Sequence, residues 1–447
     1  MMAQDETTSP EPVALPAAHP AGPDRGFAAR RAALEVLRGI RRHETFDVAL
    51  TRSVAELDEA DRRLVHEISA GVLRQRGELD RLLTPCVTGD WHRVREDMRD
   101  VLRLGAYQLH HLSRVPVHAA VAATVEVAKR EHGARSAGFA NAVLRRLAKE
   151  LAAGGPVAEP APGPRGGRAL GREYSHPTWM VARWLARFGP DRTEALLRHN
   201  NARSAIHLQP ARWPLDRLRD AFREAGVPFA ETEGLPGVSV QGVRVHELPG
   251  YGEGAFVVQD PAQALALAHA AVPAGSLVWD ACAAPGGKAA RLAATCRVLA
   301  CDPRRVRLPR LVDTVRRAAP GVWVACADAL AAPVRPESCD VVLLDAPCSA
   351  TGTIAKHPDA RWRLSARRIQ RLVALQAGLL DGAAAAVRPG GMLAYLTCSL
   401  EQEENGDQVD AFLRRHPDFR RTKDDLVLFP PDRGTDGAFA AHLERQA

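Results

Sequence analysis

At 447 residues the chain is too long for one ordinary core and implies two or three domains. Its 46% of apolar residues suits a globular protein, and no stretch is apolar over the length of a bilayer, which excludes a membrane-spanning class and leaves a cytoplasmic protein as the expectation. Lys and Arg (60) outnumber Asp and Glu (53) for a net charge of +7, an excess that suits a polyanionic partner such as nucleic acid but is weak by itself.

Residues 1–23, rich in Ala and Pro and carrying Asp5 and Glu6, read as a disordered tail without the basic start and apolar run of a signal peptide. Residues 24–150 read as all-helical. Leu64, Ile68 and Val72 recur at one-turn spacing, as do Val94, Met98, Val101 and Leu102, then Phe139, Val143 and Leu147. Periodicity alone makes this a scaffold bundle. Residues 151–171 hold Gly154, Gly155, Pro156, Pro160, Pro162, Pro164, Gly166 and Gly167 and read as a linker. Residues 172–260 mix short helical stretches with strand-like ones such as Val238-Ser239-Val240, a small α+β adaptor.

From 261 to 447 short apolar runs alternate with helical segments, and each run ends in a polar residue. Leu277-Val278-Trp279 leads into Asp280, and Val298-Leu299-Ala300 into Asp302. Residues 341–344 lead into Asp345, and 392–396 into Thr397 and Cys398. The pattern predicts a doubly wound, Rossmann-like α/β domain, whose ligands bind beyond the carboxyl ends of the strands.

The stretch Asp280-Ala281-Cys282-Ala283-Ala284-Pro285-Gly286-Gly287-Lys288 follows a strand and opens a helix. Its glycines permit a tight turn, and the helix start offers free N–H groups to an anion. It matches neither G-x-G-x-x-G nor a P-loop, so a dinucleotide or nucleoside triphosphate is poorly supported; the carboxylate of S-adenosyl-L-methionine fits the turn better. A generic glycine turn is the alternative. Asp302 stands where an acid can bind ribose hydroxyls. Asp328 is placed for an adenine edge, with a helix cap as its rival.

Eight cysteines are scattered with no C-x-x-C pair and no zinc spacing, so free thiols and no metal are expected. Cys86, Cys296 and Cys339 read as small core residues. Cys348 in Asp345-Ala346-Pro347-Cys348-Ser349 and Cys398 in Thr397-Cys398-Ser399 differ, because each ends a strand on the ligand edge. Lys356, Arg361, Arg363, Arg367, Arg368 and Arg371 cluster around Trp362; a strip gripping a nucleic-acid backbone and a solvated helix face are both open.

These motifs resemble the bacterial Sun/Fmu (RsmB-type) family of 16S ribosomal RNA cytosine-C5 methyltransferases, within the NOL1/NOP2/Sun group. Residues 282–288 match its C-A-A-P-G-G-K loop, 345–349 its D-A-P-C-S, and 397–399 its T-C-S; Gln259-Asp260, Gly352-Thr353-Ile354, His357-Pro358-Asp359 and Glu403-Glu404-Asn405 also fit. Residues 24–150 look like its NusB-like domain through Gly71-Val72-Leu73-Arg74, Pro116-Val117-His118-Ala119-Ala120 and Asn141-Ala142-Val143-Leu144-Arg145, which turns the scaffold into an rRNA-docking module.

The resemblance implies that Cys282, Ala283, Ala284, Pro285, Gly286, Gly287, Lys288, Asp302, Asp328 and Asp345 contact S-adenosyl-L-methionine or the site it shares with cytosine. It makes Cys398 the nucleophile, Cys348 the cysteine that frees the product, and 16S rRNA the partner; a monomer is the expectation. A thiolate adding to carbon 6 makes carbon 5 of cytosine nucleophilic, and Asp345 is suited to hold N3 and the exocyclic amine as charge develops. Ala289, Ala355 and Gly406 depart from the pattern, and Pro309 is expected to interrupt the helix after Asp302.

Three alternatives remain. Cys348, preceded by Pro347, can be the nucleophile; the chain can be a non-catalytic RNA-binding assembly factor with a relic methyltransferase domain; or the cysteines can form a redox pair, which their separation of fifty positions argues against.

Overall fold

The computed structural model describes residues 23–154, 166–231 and 234–447, so the expected tail and most of the Gly/Pro stretch lie outside the described residues. The first module is built of helices α1 (Pro23–Arg41), α2 (Phe46–Ser53), α3 (Glu59–Leu83), α4 (Glu96–His111), α5 (Val117–His132) and α6 (Ala134–Ala152). The one-turn apolar spacing forms its core: Ile68, Val72, Val101, Leu102, Val143 and Leu147 are all buried together. The side chain of Arg103 is buried beside them and bonds Asp80, Glu96 and Asp100, so its charge is compensated.

Helix α7 (Gly167–Glu173) begins inside the stretch read as linker, and α8 (Thr178–Asn201) follows it. Between them His176 and its neighbours turn the chain. Next comes a small antiparallel sheet in the order β2–β3–β1–β4, from β1 (Ile206–Pro210), β2 (Phe229–Ala230), β3 (Val238–Val240) and β4 (Phe256–Val258), with α9 (Leu215–Glu224) packed on it through Leu218 and Phe222.

The large sheet is laid out β10–β12–β9–β8–β5–β6–β7, with β11 paired to β12. Its strands are β5 (Leu277–Asp280), β6 (Arg297–Cys301), β7 (Trp323–Ala325), β8 (Cys339–Asp345), β9 (Val387–Thr397), β10 (Phe419–Arg421), β11 (Leu426–Leu428) and β12 (Ala438–Arg445). Strands β5 to β9 pair in parallel and β12 runs antiparallel to β9. Strand period 2 divides the core. Val278, Val341, Leu343, Ala394 and Leu396 face one side, while Trp279, Val342, Leu344, Leu393 and Tyr395 face the other. Helices α10 (Pro261–Ala270), α11 (Gly287–Leu292) and α12 (Leu308–Ala318), with α13 (Ala360–Arg363), α14 (Ala366–Ala386), α15 (Gly406–Arg415) and α16 (Pro430–Arg433), complete the domain. The doubly wound α/β architecture behind a helical module is as expected.

Two readings need correction. Pro309 does not interrupt a helix; it sits in the first turn of α12, where its missing N–H leaves no bond unmade. Cys296 is not a core residue; it is half-buried and donates to the Pro273 carbonyl near the surface, whereas Cys86 and Cys339 are buried. No helix among the described residues is long and apolar enough to cross a membrane.

Candidate active site

The strand order reverses between β5 and β8, and the crevice at such a reversal is where open α/β sheets take ligands. Asp280 ends β5 there, fully buried. Among the described residues neither of its oxygens has a well-formed partner, the Cys282 amide offering only a partial one. Burial and the neighbouring Asp345 carboxylate push Asp280 up to about 8. The chain then turns through 281–286 into α11. Gly286 holds φ +105°, and a Cβ on it would press Leu311 at 3.0 Å. Lys288 reaches back from α11 to Asp345 and to Gln263, each at 2.6 Å. The Cys282 thiol is buried beside Asp280, and burial raises it far above an ordinary cysteine.

Asp302, one strand over, is buried and already engaged: it accepts from the Arg304 amide at 2.9 Å and from Arg307 at 3.0 Å. Arg307 also holds the Ala284 carbonyl at 2.8 Å, tying the loop to this acid. Asp328 is exposed and accepts from the Leu330 amide at 3.0 Å, so it caps a turn rather than a helix, and nothing brings it against the other residues. A cavity of about 440 Å³ lined by Arg212, Ala290, Arg297 and Trp323 opens at the opposite, amino-terminal edge of the sheet and takes no part in this arrangement.

The two strand-end cysteines do come together. Parallel strands β8 and β9 pair Asp345 with Leu396, so positions just beyond them leave the sheet side by side, and the Sγ atoms of Cys348 and Cys398 lie 3.4 Å apart. Their loops are laced by backbone bonds, Ala346 N to Leu396 O and Gly352 N to Cys398 O, both 2.9 Å. The hydrogen bond to Cys398 and burial raise the Cys348 thiol well above an ordinary cysteine, so it stays protonated.

Sequence reasoning missed what surrounds the thiols. Glu404 is buried and accepts hydrogen bonds from Ser349, Ser399 and Gln376. Asn405 accepts from Thr397 Oγ1 at 2.6 Å and donates to the Ser399 carbonyl at 2.9 Å. Lys356 lies between the carboxylates of Asp260 and Asp436. Burial lifts Asp436 to about 7, against the opposing pull of Lys356. The Glu-Glu-Asn run after the second cysteine was the available signal, since acids in an apolar setting need donors.

The basic cluster divides, so neither reading of it holds as a whole. Arg361 is fully buried and donates to Ser175 O, Asn200 O and Asn201 Oδ1. Trp362 donates to the Leu73 carbonyl at 2.6 Å, packs on the helical core and carries Arg76 over its ring. Arg363 bonds Asp359, which also accepts from the Phe46 amide. Of the six basic residues, Arg367 and Arg371 alone are exposed. Buried, partnered cations next to a module boundary hold the modules together.

Two family models match the chain, 16S rRNA methyltransferase RsmB/F over residues 268–444 and the NusB family over residues 28–149. A Vibrio cholerae protein named ribosomal RNA small subunit methyltransferase B is 34% identical over 413 residues, 89% of this chain and 93% of that one. A Synechocystis protein named probable ribosomal RNA small subunit methyltransferase B is 31% identical over 456 residues, 94% of this chain and 100% of that one. The solved structure of PH0851 covers 94% of this chain and 99% of its own, at 26% identity and TM-score 0.76. NSun6 from Pyrococcus horikoshii, solved with SFG, covers 61% of this chain and 98% of its own at 16% identity and TM-score 0.56, a likeness of fold alone. Identity sustained through both modules settles the kinship: the chain belongs to the ribosomal RNA small subunit methyltransferase B family.

Proposed function

We propose that the protein transfers a methyl group from S-adenosyl-L-methionine to carbon 5 of one cytosine in 16S rRNA, with Cys398 bonding transiently to carbon 6. The observation that carries this reading is the pair of thiols 3.4 Å apart at adjacent strand ends, on the ligand edge that also holds Asp345 and Lys288.

The crevice fits the methyl donor. Asp280 is buried without adequate partners, and Gln259 Oε1 and Gln263 Nε2, two further buried polar atoms, are likewise unpaired among the described residues. The left-handed turn at Gly286 leads the chain into α11, whose first backbone N–H groups would face the donor's carboxylate. Residues 282–288 and Asp302 would hold the donor; Asp328 is the further acid proposed for its adenine edge. When bound, it supplies an electrophilic methyl group.

The protein's own groups account for the remaining chemistry. The Cys398 thiolate forms an S–C6 bond, and the ring electrons move toward carbon 5 and N3. The Lys288–Asp345 pair would serve the N3 and amine edge: Asp345 accepts from the exocyclic amine, and a proton passed from the pair to N3 neutralises the charge building there. Once carbon 5 is methylated, the S–C6 bond breaks toward Cys398, the C5–H electron pair re-forms the C5–C6 double bond, and the C5 proton passes to the Cys348 sulfur as Cys348 hands its own proton to Cys398. Cys348, kept protonated beside it, carries the proton that the departing sulfur needs. The target base must leave its stack to reach these thiols, so an unpaired cytosine is the expected substrate.

The test is RNA carrying 5-fluorocytosine, whose carbon 5 cannot release a proton and so traps the adduct. The native protein and Cys348→Ala should form a covalent band and Cys398→Ala none. An adduct lost only in Cys348→Ala reverses the two roles. No binding of S-adenosyl-L-methionine in calorimetry favours a non-catalytic assembly factor.

A further inference from the structure

Glu404 stands on the short turn between β9 and α15, wholly buried behind both cysteines. Its Oε1 accepts from the Ser349 amide at 2.9 Å and from Gln376 Nε2 at 3.0 Å. Its Oε2 accepts from the hydroxyls of Ser349 and Ser399, each at 2.5 Å. Ser349 directly follows Cys348, and Ser399 directly follows Cys398. One carboxylate thus clasps the two loops that carry the thiols.

An acid is an expensive way to fill a cavity in a sheet domain, since burying a carboxylate is unfavourable unless donors converge on it. Here four do, and all four belong to, or sit against, the cysteine loops. Gln376 also donates to the Pro347 carbonyl at 2.9 Å, which adds the residue preceding Cys348 to the same clasp. The backbone of Glu404 is fixed in turn, because its carbonyl accepts from the Tyr395 hydroxyl at 2.7 Å.

We propose that Glu404 is a positioning residue: by joining Ser349 to Ser399 it sets the separation of Cys348 and Cys398, and so the step in which Cys348 helps to release the methylated base. The proposal rests on the division of labour between the thiols given above. It assigns Glu404 no contact with cofactor or RNA. The hydrogen bond to Cys398 and burial are the main opponents of Cys348 ionisation, and a Glu404 carboxylate adds to them. Loss of the clasp therefore falls on release more than on attack.

Two readouts separate this from a general role in folding. The first needs no catalysis. Phenylarsine oxide condenses with two neighbouring thiols, forming two As–S bonds and releasing water, and requires both sulfurs close together. The native protein should bind it through Cys348 and Cys398, with Cys348→Ala as the one-thiol control. Glu404→Ala should weaken binding about tenfold or more, and Glu404→Gln, which keeps the volume and one acceptor, should restore most of it. The second is the balance of steps: in Glu404→Ala, adduct formation with 5-fluorocytosine RNA should stay within about threefold of native while turnover on ordinary RNA falls about 100-fold.

Native arsenical binding in both Glu404 variants, or adduct formation and turnover falling in equal proportion, overturns the proposal. If Glu404→Ala does not fold, Ser399→Ala, which removes one hydroxyl from the clasp, takes its place: weaker arsenical binding with turnover lost ahead of adduct formation supports the proposal, and native values in both overturn it. Should Cys398→Ala turn over normally, the reaction scheme fails, while the arsenical result still reports whether Glu404 sets the spacing.

Discussion

The tightest constraint on the thiol pair lies at Gly352, in the turn after Cys348. Its amide donates to the Cys398 carbonyl at 2.9 Å, and its carbonyl accepts from the Gly437 amide at 2.8 Å. A Cβ on Gly352 would meet Cys398 O at 2.8 Å, Gly437 Cα at 2.8 Å and Gly437 C at 3.1 Å. All three are backbone atoms, so no rotamer can relieve them. Ordinary contact starts at 3.4 Å, and Gly352→Ala must therefore push the Cys398 loop back by about 0.6 Å in a close-packed interior. Overpacking of this kind costs about 1–3 kcal/mol of stability. A misplacement of about 1 Å at a reacting group is worth about 100-fold, so roughly half that shift predicts a fall in kcat of about tenfold or somewhat more. Residues 282–288 lie beyond β5 and are untouched, so the Kd for S-adenosyl-L-methionine should stay native. Transfer of a labelled methyl group into a 16S rRNA transcript measures the first quantity and calorimetry the second. A Gly352→Ala protein with native kcat, or one whose kcat loss is matched by its loss of cofactor affinity, would show that the backbone contact does not position Cys398.

Asp345→Asn keeps the shape of the acid but loses the ion pair with Lys288; kcat should drop about 100- to 1,000-fold with cofactor affinity little changed, and faster-than-expected adduct formation in single-turnover trapping would count against its role at N3. Trp362→Ala removes a half-buried ring and its bond to Leu73, lowering stability by about 3 kcal/mol in denaturant titration, whereas Arg367→Ala with Arg371→Ala should leave stability unchanged and flatten the salt dependence of RNA binding. The Glu78–His110–His111 cluster should contribute most to the helical module at mildly acidic pH. Burial would raise Glu78, but hydrogen bonds from His110 and His111 outweigh it and hold Glu78 at about 2, below its ordinary 4.5; that stability is complete above 4.5 and fades as pH falls below it. The hydrogen bond to Glu78 raises His110 above its ordinary 6.5, so its share is complete below 6.5 and fades as pH rises through the folded value. Amide exchange in α3 and α4 should be slowest between these limits, and Glu78→Gln should remove both slopes.

How much of this was legible in the sequence follows from the range over which each signal acts. Helical spacing and the apolar runs ending in Asp280, Asp302, Asp345 and Cys398 are local patterns, and the helical module and doubly wound sheet were read from them. The redox argument failed at one point because it equated separation along the chain with separation in space. Cys348 and Cys398 are fifty positions apart, yet α14 is a crossover that returns the chain to a neighbouring parallel strand, and the ends of β8 and β9 meet. Lys356 was read as a surface cation because its partners Asp260 and Asp436 are distant in sequence. Arg361 and Trp362 were misplaced for the same reason: a run of basic residues looks alike whether it faces water or another module. Glu404 was visible only as part of a motif, since the donors that give it meaning come from two other segments.

The segment after β8 joins these facts into one mechanical unit. It carries Cys348 at its start and, a few residues on, three attachments to the helical module: the Ala355 carbonyl to Arg74 at 3.1 Å, the Asp359 carboxylate to the Phe46 amide at 3.2 Å, and the Trp362 indole to Leu73. Arg361, from the same stretch, is sealed against α8. On the proposed function, rRNA docked on the helical module would therefore sit at a set reach from the thiols, because these three bonds tie the two surfaces along this segment. Choice of one cytosine can then come from distance as well as from contacts to the base. Loosening the attachment tests this directly. Trp362→Ala should methylate additional unpaired cytosines near the native one in bisulfite sequencing of the transcript, and strict retention of a single site would show that reach plays no part in the choice.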